Sequence, residues 1–281
     1  MFRIGKEEID AVARVIESKQ LFKCNDALKE TENCEKDMRE RFGLDHAVLM
    51  TSGYAALVSA LVGMGIGPGD EVIVPAYTYI ATAMAVVGAG AMPVIAEVDE
   101  TLMLDPNDIE NKITERTKAI IPVHMMGYPC NMKAIMEIAK KHKLFVLEDA
   151  CQANGAKFDG KLLGTIGDAA ALSFNYFKII SCGEGGGFLT KDKAVFERAL
   201  IYHDSSAIAF FGDQMSGFSE SEFCGNEYRS NELCAAVLGV QLDRMDGILS
   251  DNRRNKKYMM EKLSDVACNI LLRMERSLLY E

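Results

Sequence analysis

Apolar positions at helical spacing open the chain. The stretch 7–18 sets Ile9, Val12, Val15 and Ile16 on one face of a predicted helix. The stretch 27–42 is laced with charge and stops at Gly43, which predicts a second helix with a glycine end. Short apolar runs then alternate with amphipathic segments. The runs are 47–50, 72–74, 94–98, 119–123, 144–147, 169–174 and 187–190, and helical patterns such as 132–142 lie between several of them. Strands alternating with helices predict βαβ units around a mainly parallel sheet. The runs lack polar alternation, so the sheet is expected to be covered on both faces. A loop of Gly, Ser and Phe is predicted over 210–222. A proline-free helical tract then runs from about Ser230 to the C-terminus.

One segment imitates a membrane span. Residues 72–96 carry no formal charge over 25 positions, long enough to cross a bilayer. Pro75, Pro93, Gly88 and Gly90 interrupt it, Thr78 and Thr82 dilute it, and Leu is absent. The expectation is a buried strand over 72–74, a small-residue helix over 80–87 and a second strand over 94–98, with no membrane partner.

Composition narrows the class. The chain has 281 residues, 49% hydrophobic and 26% charged, with a net charge of −10. These are ordinary globular proportions, and the negative sign argues against a nucleic-acid partner. The length suits one large α/β domain, or one such domain plus a smaller piece. Eight cysteines are scattered with no C-x-x-C spacing, so no metal site is expected. They also point to a reducing compartment, the cytoplasm. The start MFRIGKEEID is polar within a few residues and does not read as a signal peptide.

Ligands of open α/β sheets bind beyond the carboxyl ends of the strands. After the run at 47–50 comes Thr51-Ser52-Gly53-Tyr54, either a plain helix cap or a phosphate cradle. After 144–147 come Glu148, Asp149, Cys151 and Gln152. After 169–172 come Ser173 and Lys178, then Gly183-Glu184-Gly185-Gly186-Gly187. Singly these are a cap, a strand end, a surface lysine and a turn. Together they supply what pyridoxal 5′-phosphate needs: a phosphate cradle, a carboxylate for the pyridine nitrogen and a lysine for a Schiff base. The alternating glycines of 63–69 do not match G-x-G-x-x-G, so a dinucleotide site is not expected.

Here the chain resembles the DegT/StrS family of pyridoxal-phosphate sugar aminotransferases, of fold type I. Five groups of residues carry the resemblance. They are Ser52-Gly53 with Ala55-Ala56-Leu57; Pro75 with Thr78-Tyr79 and Ala81-Thr82; Val123-His124 with Gly127; Glu148-Asp149-Ala150 with Gln152 and Gly155; and Gly167-Asp168 with Ser173-Phe174, Lys178 and Gly183-Glu184-Gly185-Gly186. Asn226, Tyr228-Arg229, Glu232, Ala235-Ala236 and Gln241-Leu242 extend it, over roughly 4–260 in all.

The resemblance implies that Lys178 forms the Schiff base and shuttles a proton, while Asp149 pairs with the pyridine nitrogen. It implies that Tyr79 stacks on the ring, that Gln152 lies near the phenolic oxygen, and that Ser173 with the amides of Gly53 and Tyr54 holds the phosphate. Asn226 would reach the phosphate of a second copy, making a homodimer part of the site. Glutamate or glutamine would be the donor, and a keto group on a nucleotide-linked sugar or cyclitol the acceptor. Tyr54 stands where the family has Thr or Ser. Ile201-Tyr202-His203-Asp204 departs from the family's Arg-Asn-His-Gly near the substrate, leaving Tyr202 and His203 as candidate substrate contacts.

Relatives continue well beyond this length, so the resemblance implies an N-terminal arm and large cofactor-binding domain over 1–245 and the helical start of an incomplete C-terminal domain over 246–281. Met259, Leu263, Val266, Ile270, Leu271 and Leu278 form an apolar stripe expected to meet a partner, either a second chain supplying the C-terminal domain or another copy. A catalytically incomplete partner subunit and a racemase or lyase are the other readings.

Overall fold

The computed structural model describes residues 3–23, 27–204 and 217–263. Among them the helices are α1 (Lys6–Ser18), α2 (Glu30–Phe42), α3 (Gly53–Gly63), α4 (Ala81–Gly88), α5 (Pro106–Lys112), α6 (Met132–His142), α7 (Lys193–His203) and α8 (Glu232–Leu263). The strands are β1 (His46–Met50), β2 (Glu71–Pro75), β3 (Met92–Ala96), β4 (Thr117–Ile120), β5 (Phe145–Asp149), β6 (Lys157–Phe158), β7 (Lys161–Leu162), β8 (Ala169–Ser173) and β9 (Gly186–Thr190). Seven of them form one sheet in the order β1-β9-β8-β5-β4-β2-β3. β2, β3, β4, β5 and β8 run parallel, and β9 runs antiparallel between β1 and β8. The sheet is mainly parallel, as the alternation predicts.

Successive residues of the strands feed opposite cores. Val48, Met50, Ala171 and Phe188 pack into a cluster with the apolar residues of α3, whereas Ala47, Leu49, Leu172 and Leu189 pack with Met38 of α2 and Leu238 of α8. Both faces of β2, β8 and β9 are buried. Strand β3 departs from the expectation. It is the sheet edge, and Met92 and Ile95 are exposed. The uncharged segment resolves into β2, α4 and β3, not one long helix, and no helix of the described residues is long and apolar enough to cross a membrane.

The first helix turns a different face inward. Ala11 and Val15 are buried with Glu8, but Ile9 and Ile16 are exposed. Glu8 can be buried because its carboxylate accepts from the Gly5 amide and Gln241 Nε2 at 2.7 Å each and pairs with Arg244. The second helix starts three residues later than its charge pattern suggests, since Lys29 takes a positive φ of 57°. Its free amides are capped across the fold. The buried Glu232 carboxylate accepts from Glu30 N at 2.7 Å, Thr31 N at 3.0 Å and Thr31 Oγ1 at 2.7 Å. Buried positions of α8 end at Met245. Of the predicted apolar stripe, Met259 is exposed, and Val266, Ile270, Leu271 and Leu278 lie outside the described residues. Most of the predicted loop, residues 210–216, also lies outside them. Its last part is tied to α7, where buried Glu197 accepts from Ser219 and Glu220 amides at 2.8 and 3.1 Å.

Candidate active site

The site grows from the carboxyl end of β5. Asp149 closes that strand and is buried. Its Oδ1 accepts from the Cys151 amide at 3.2 Å, and its Oδ2 from Thr82 Oγ1 at 2.8 Å. Thr82 is fully buried in the first turn of α4, and Thr78 Oγ1 lies 2.7 Å from its hydroxyl. The Thr82 proton is directed to the carboxylate, so Thr78 donates to Thr82. Both carboxylate oxygens are thus oriented by this chain alone.

Beneath Asp149 lies a buried scaffold. Glu148 accepts from Gly164 N at 2.8 Å and from Ile166 N and Gly167 N at 2.7 Å each, and it meets His124 Nε2 at 3.0 Å. The Cys130 amide donates to His124 Nδ1 at 3.2 Å. That bond needs a lone pair on Nδ1, so the ring proton sits on Nε2 and faces Glu148. Burial works against the Glu148 carboxylate, but His124 and the amides of Gly167 and Gly164 outweigh it and hold its pKa below the usual range.

A second wall comes from the β1–α3 turn. Ser52 caps α3, its Oγ accepting from Ala55 N at 3.1 Å, and Gly53 and Tyr54 lie in the first turn, where helix amides have no intrahelical partner. Gly53 is wedged: a Cβ there would lie 2.7 Å from Cys151 Sγ and 3.1 Å from Ser173 Cβ. Gly186 of β9 passes closer still, and a Cβ on it would fall 2.1 Å from the Ser52 carbonyl carbon. Ser173 ends β8, where its carbonyl accepts from Asn154 Nδ2 at 3.1 Å.

Half-buried Lys178 sits in the loop that follows. The loop is closed by its own bonds. Phe174 N donates to Gly185 O at 2.8 Å, Lys178 N to Asn175 O at 2.9 Å, and Asn175 Nδ2 to Glu184 Oε1 at 2.9 Å. Cys151 feels both charged candidates. Burial, then Asp149, pushes its thiol up, and the Lys178 ammonium opposes them.

The structure therefore gathers Gly53, Asp149, Cys151, Ser173 and Lys178 at one end of the sheet. The other candidates form its margin. Tyr79 stands 69% exposed where the chain enters α4. Gln152 is engaged by the neighbouring turn, its Oε1 accepting from Met126 N at 3.2 Å. The Tyr54 hydroxyl turns toward α4, where a Cβ on Gly88 would come within 2.5 Å of it. Tyr202 and Tyr228 pack edge to face at 6.2 Å, and Asn226 hydrogen-bonds Tyr202 within the same chain. His203 is buried, donating from Nδ1 to Leu200 O at 2.6 Å; burial, with Lys23 nearby, lowers its pKa to about 3.

Sequence reasoning assigned no role to Thr82. The signal was the Thr78–Thr82 spacing, which places two hydroxyls one turn apart at the start of a helix.

The model of the DegT/DnrJ/EryC1/StrS aminotransferase family matches residues 3–277. The chain belongs to that family. As a DegT/DnrJ/EryC1/StrS member it is 40% identical over 222 residues to the GDP-perosamine synthase of Escherichia coli O157:H7, covering 78% of this chain and 59% of that protein. It is 35% identical over 269 residues to the L-glutamine:2-deoxy-scyllo-inosose aminotransferase of Streptomyces kanamyceticus, covering 92% of this chain and 62% of that protein. The crystal structure of DesV from S. venezuelae, in complex with a ketimine intermediate, matches with a TM-score of 0.79 and 39% identity over 93% of this chain and 67% of that one. The chain spans about three fifths of the length of the curated relatives it matches, as the 59% and 62% figures state. Its mainly parallel α/β fold is the fold-type I arrangement of this family.

Proposed function

We propose that the chain carries the pyridoxal 5′-phosphate site of an aminotransferase. In this reading an amino group moves from glutamate or glutamine to a keto group on a nucleotide-linked sugar or a cyclitol. One observation carries the reading: Asp149, oriented at both oxygens, lies beside the wedge of Gly53, Cys151 and Ser173, and Lys178 follows Ser173 in the loop after β8. The residues fit the group. A carboxylate acceptor suits a protonated ring nitrogen, a glycine-wedged helix start suits a phosphate, and a primary amine suits an aldehyde carbon.

When bound, the cofactor supplies an electron sink for the carbon that loses its proton. Each remaining task falls to a side chain or amide of this chain. Asp149 would hold the proton on the ring nitrogen. The Gly53 and Tyr54 amides and the Ser173 hydroxyl would hold the phosphate. Lys178 Nζ would be the attachment point and would serve as the proton carrier. Tyr79 and Gln152 would help to hold the ring. Tyr202, fixed by Asn226, would contribute to the wall on the acceptor side, whereas His203, the other candidate substrate contact, is buried and bonded to Leu200 O and would act only as support behind it. Exposed Tyr79, Tyr176 and Phe177 at the mouth favour a second copy as cover, with Phe177 84% exposed.

The test is reductive trapping. Borohydride treatment of the purified chain with pyridoxal phosphate is expected to place a pyridoxyl group on the peptide containing Lys178, and Lys178→Ala abolishes it. Glutamate added before borohydride is expected to prevent trapping, because the cofactor leaves the lysine as its amine form. Trapping on another lysine, or none, overturns the reading.

A further inference from the structure

Lys178 rides on a turn that packing does not fix. The anchors on either side, Phe174 and Ile180, are buried in the cluster with Met38 of α2 and Leu238 of α8. Between them Tyr176 and Phe177 are exposed, and Asn175 and Lys178 are half-buried. Hydrogen bonds hold the turn instead, and they converge on Asn175. Its carbonyl accepts from Lys178 N at 2.9 Å, and its Oδ1 accepts from Phe177 N at 3.1 Å. Its Nδ2 donates across the loop to Glu184 Oε1 at 2.9 Å. The two side-chain partners leave one orientation for this amide, since a backbone N–H needs the oxygen and a carboxylate needs the NH2.

Glu184 stands on the limb that returns to β9, and that limb has its own fixings. The Cys182 amide donates to Phe174 O at 3.1 Å, and the Cys182 thiol to Glu184 O at 3.3 Å. The Gly183 amide donates to Ser181 Oγ at 3.0 Å, with Gly183 at a φ of 90°. Gly185 O accepts from Phe174 N at 2.8 Å. The bond between Asn175 and Glu184 therefore ties a loosely packed turn to a fixed post.

We infer that Asn175 and Glu184 are positioning residues for Lys178, acting on the rate at which its amine is captured by the cofactor aldehyde. The inference rests on the reading of Lys178 as the attachment point. In that step the neutral Lys178 amine adds to the aldehyde carbon, and water leaves with the aldehyde oxygen and both amine protons. An amine held close to its target reacts faster than one on a turn that samples many placements, and a displacement on the order of 1 Å can cost about a hundredfold. A bond to a carboxylate suits the task, because it is stronger than one between neutral groups.

The experiment follows attachment by mass. Pyridoxal phosphate is added to the whole chain, borohydride stops the reaction at timed intervals, and the pyridoxyl group on the Lys178 peptide is counted. Asn175→Asp keeps the oxygen that Phe177 N uses but sets a second carboxylate against Glu184. It is expected to slow attachment at saturating cofactor about tenfold to a hundredfold. The half-saturating concentration is expected to stay, because Gly53 and Asp149 lie outside the loop. Glu184→Ala removes the same bond from the exposed side and is expected to slow attachment likewise. Combining Asn175→Asp with Glu184→Gln again sets a donor against an acceptor, with the roles exchanged, and is expected to recover most of the rate. In the chain without cofactor, deuterium exchange in the peptide carrying residues 175–178 is expected to rise in Asn175→Asp and to fall back in the double variant. Wild-type attachment rates in both single variants overturn the inference, as does a double variant no faster than Asn175→Asp; trapping on Lys178 in those cases leaves the proposed function standing. Wild-type chain that is not trapped on Lys178 overturns both.

Discussion

Thr82 Oγ1 donates a 2.8 Å hydrogen bond to Asp149 Oδ2, joining the first turn of α4 to the last residue of β5. The carboxylate has two oriented lone pairs and a fixed plane as a result. A hydrogen bond to a charged group is worth about 1.5–3 kcal/mol, and each ~1.4 kcal/mol is tenfold in rate. Thr82→Val is expected to slow half-transamination with glutamate roughly tenfold or more, with Thr82→Ser near wild type. Equal rates for the valine variant would remove Thr82 from the site.

Asp149→Asn removes the charge and keeps the shape. The variant is expected to retain bound pyridoxal phosphate, seen in its visible absorption, while losing most half-transamination. A neutral amide does not hold a proton on the ring nitrogen. Near wild-type single-turnover rates would contradict the assigned role.

Glu148 predicts an acid limb. Its folded pKa is held below the ordinary glutamate value by His124 and the amides of Gly167 and Gly164, so the unfolded chain takes up that proton more readily. The stability it supplies is complete above about 4.5 and is lost as pH falls through the lower folded value. Glu148→Gln is expected to melt at a lower temperature at pH 7 and to respond less to acidification. Parallel melting curves against pH for the two proteins would show that this group is not responsible.

Glu232 caps α2 from the other end of the sequence. In Glu232→Gln an NH2 group faces donors in place of one oxygen. The expected destabilisation is about 1–3 kcal/mol, read as a lower urea midpoint with an unchanged slope. An unchanged midpoint would mean that water satisfies the Glu30 and Thr31 amides equally well.

The sheet was legible because β2, β8 and β9 are apolar on both faces, and a short apolar run between turn residues has few other solutions. The main site residues were legible because each follows a strand. Edge positions and cross-fold polar pairs were not. Ile95 read as buried within the predicted strand, but among the described residues β3 has no neighbour on its outer side. Ile9 and Ile16 read as core, yet α1 turns Glu8 inward because Gln241 and Arg244 are waiting for it. Those partners are more than two hundred positions away, and periodicity within one helix carries no information about them. Glu148 read as a strand-end acid, and nothing local announces that three amides of 164–167 converge on it.

Among the strands of the described residues β1 pairs with β9, their register joining His46 to Thr190 and Met50 to Gly186, and on its other side Met50 makes a lone bridge to Arg229. During synthesis the segment 46–50 therefore leaves the ribosome long before strand β9, its partner in the sheet. The inner parallel strands can assemble as they emerge, while this margin of the sheet waits. Loop-closure entropy over so long a separation makes such a pairing slow. An unpaired apolar strand is also the piece of a nascent chain most open to wrong partners. The Ser52–Gly53 turn hangs directly from β1. The phosphate-binding wall proposed here is consequently among the last parts of the molecule to be built, and a chain released early would hold Asp149 in place with nothing opposite it.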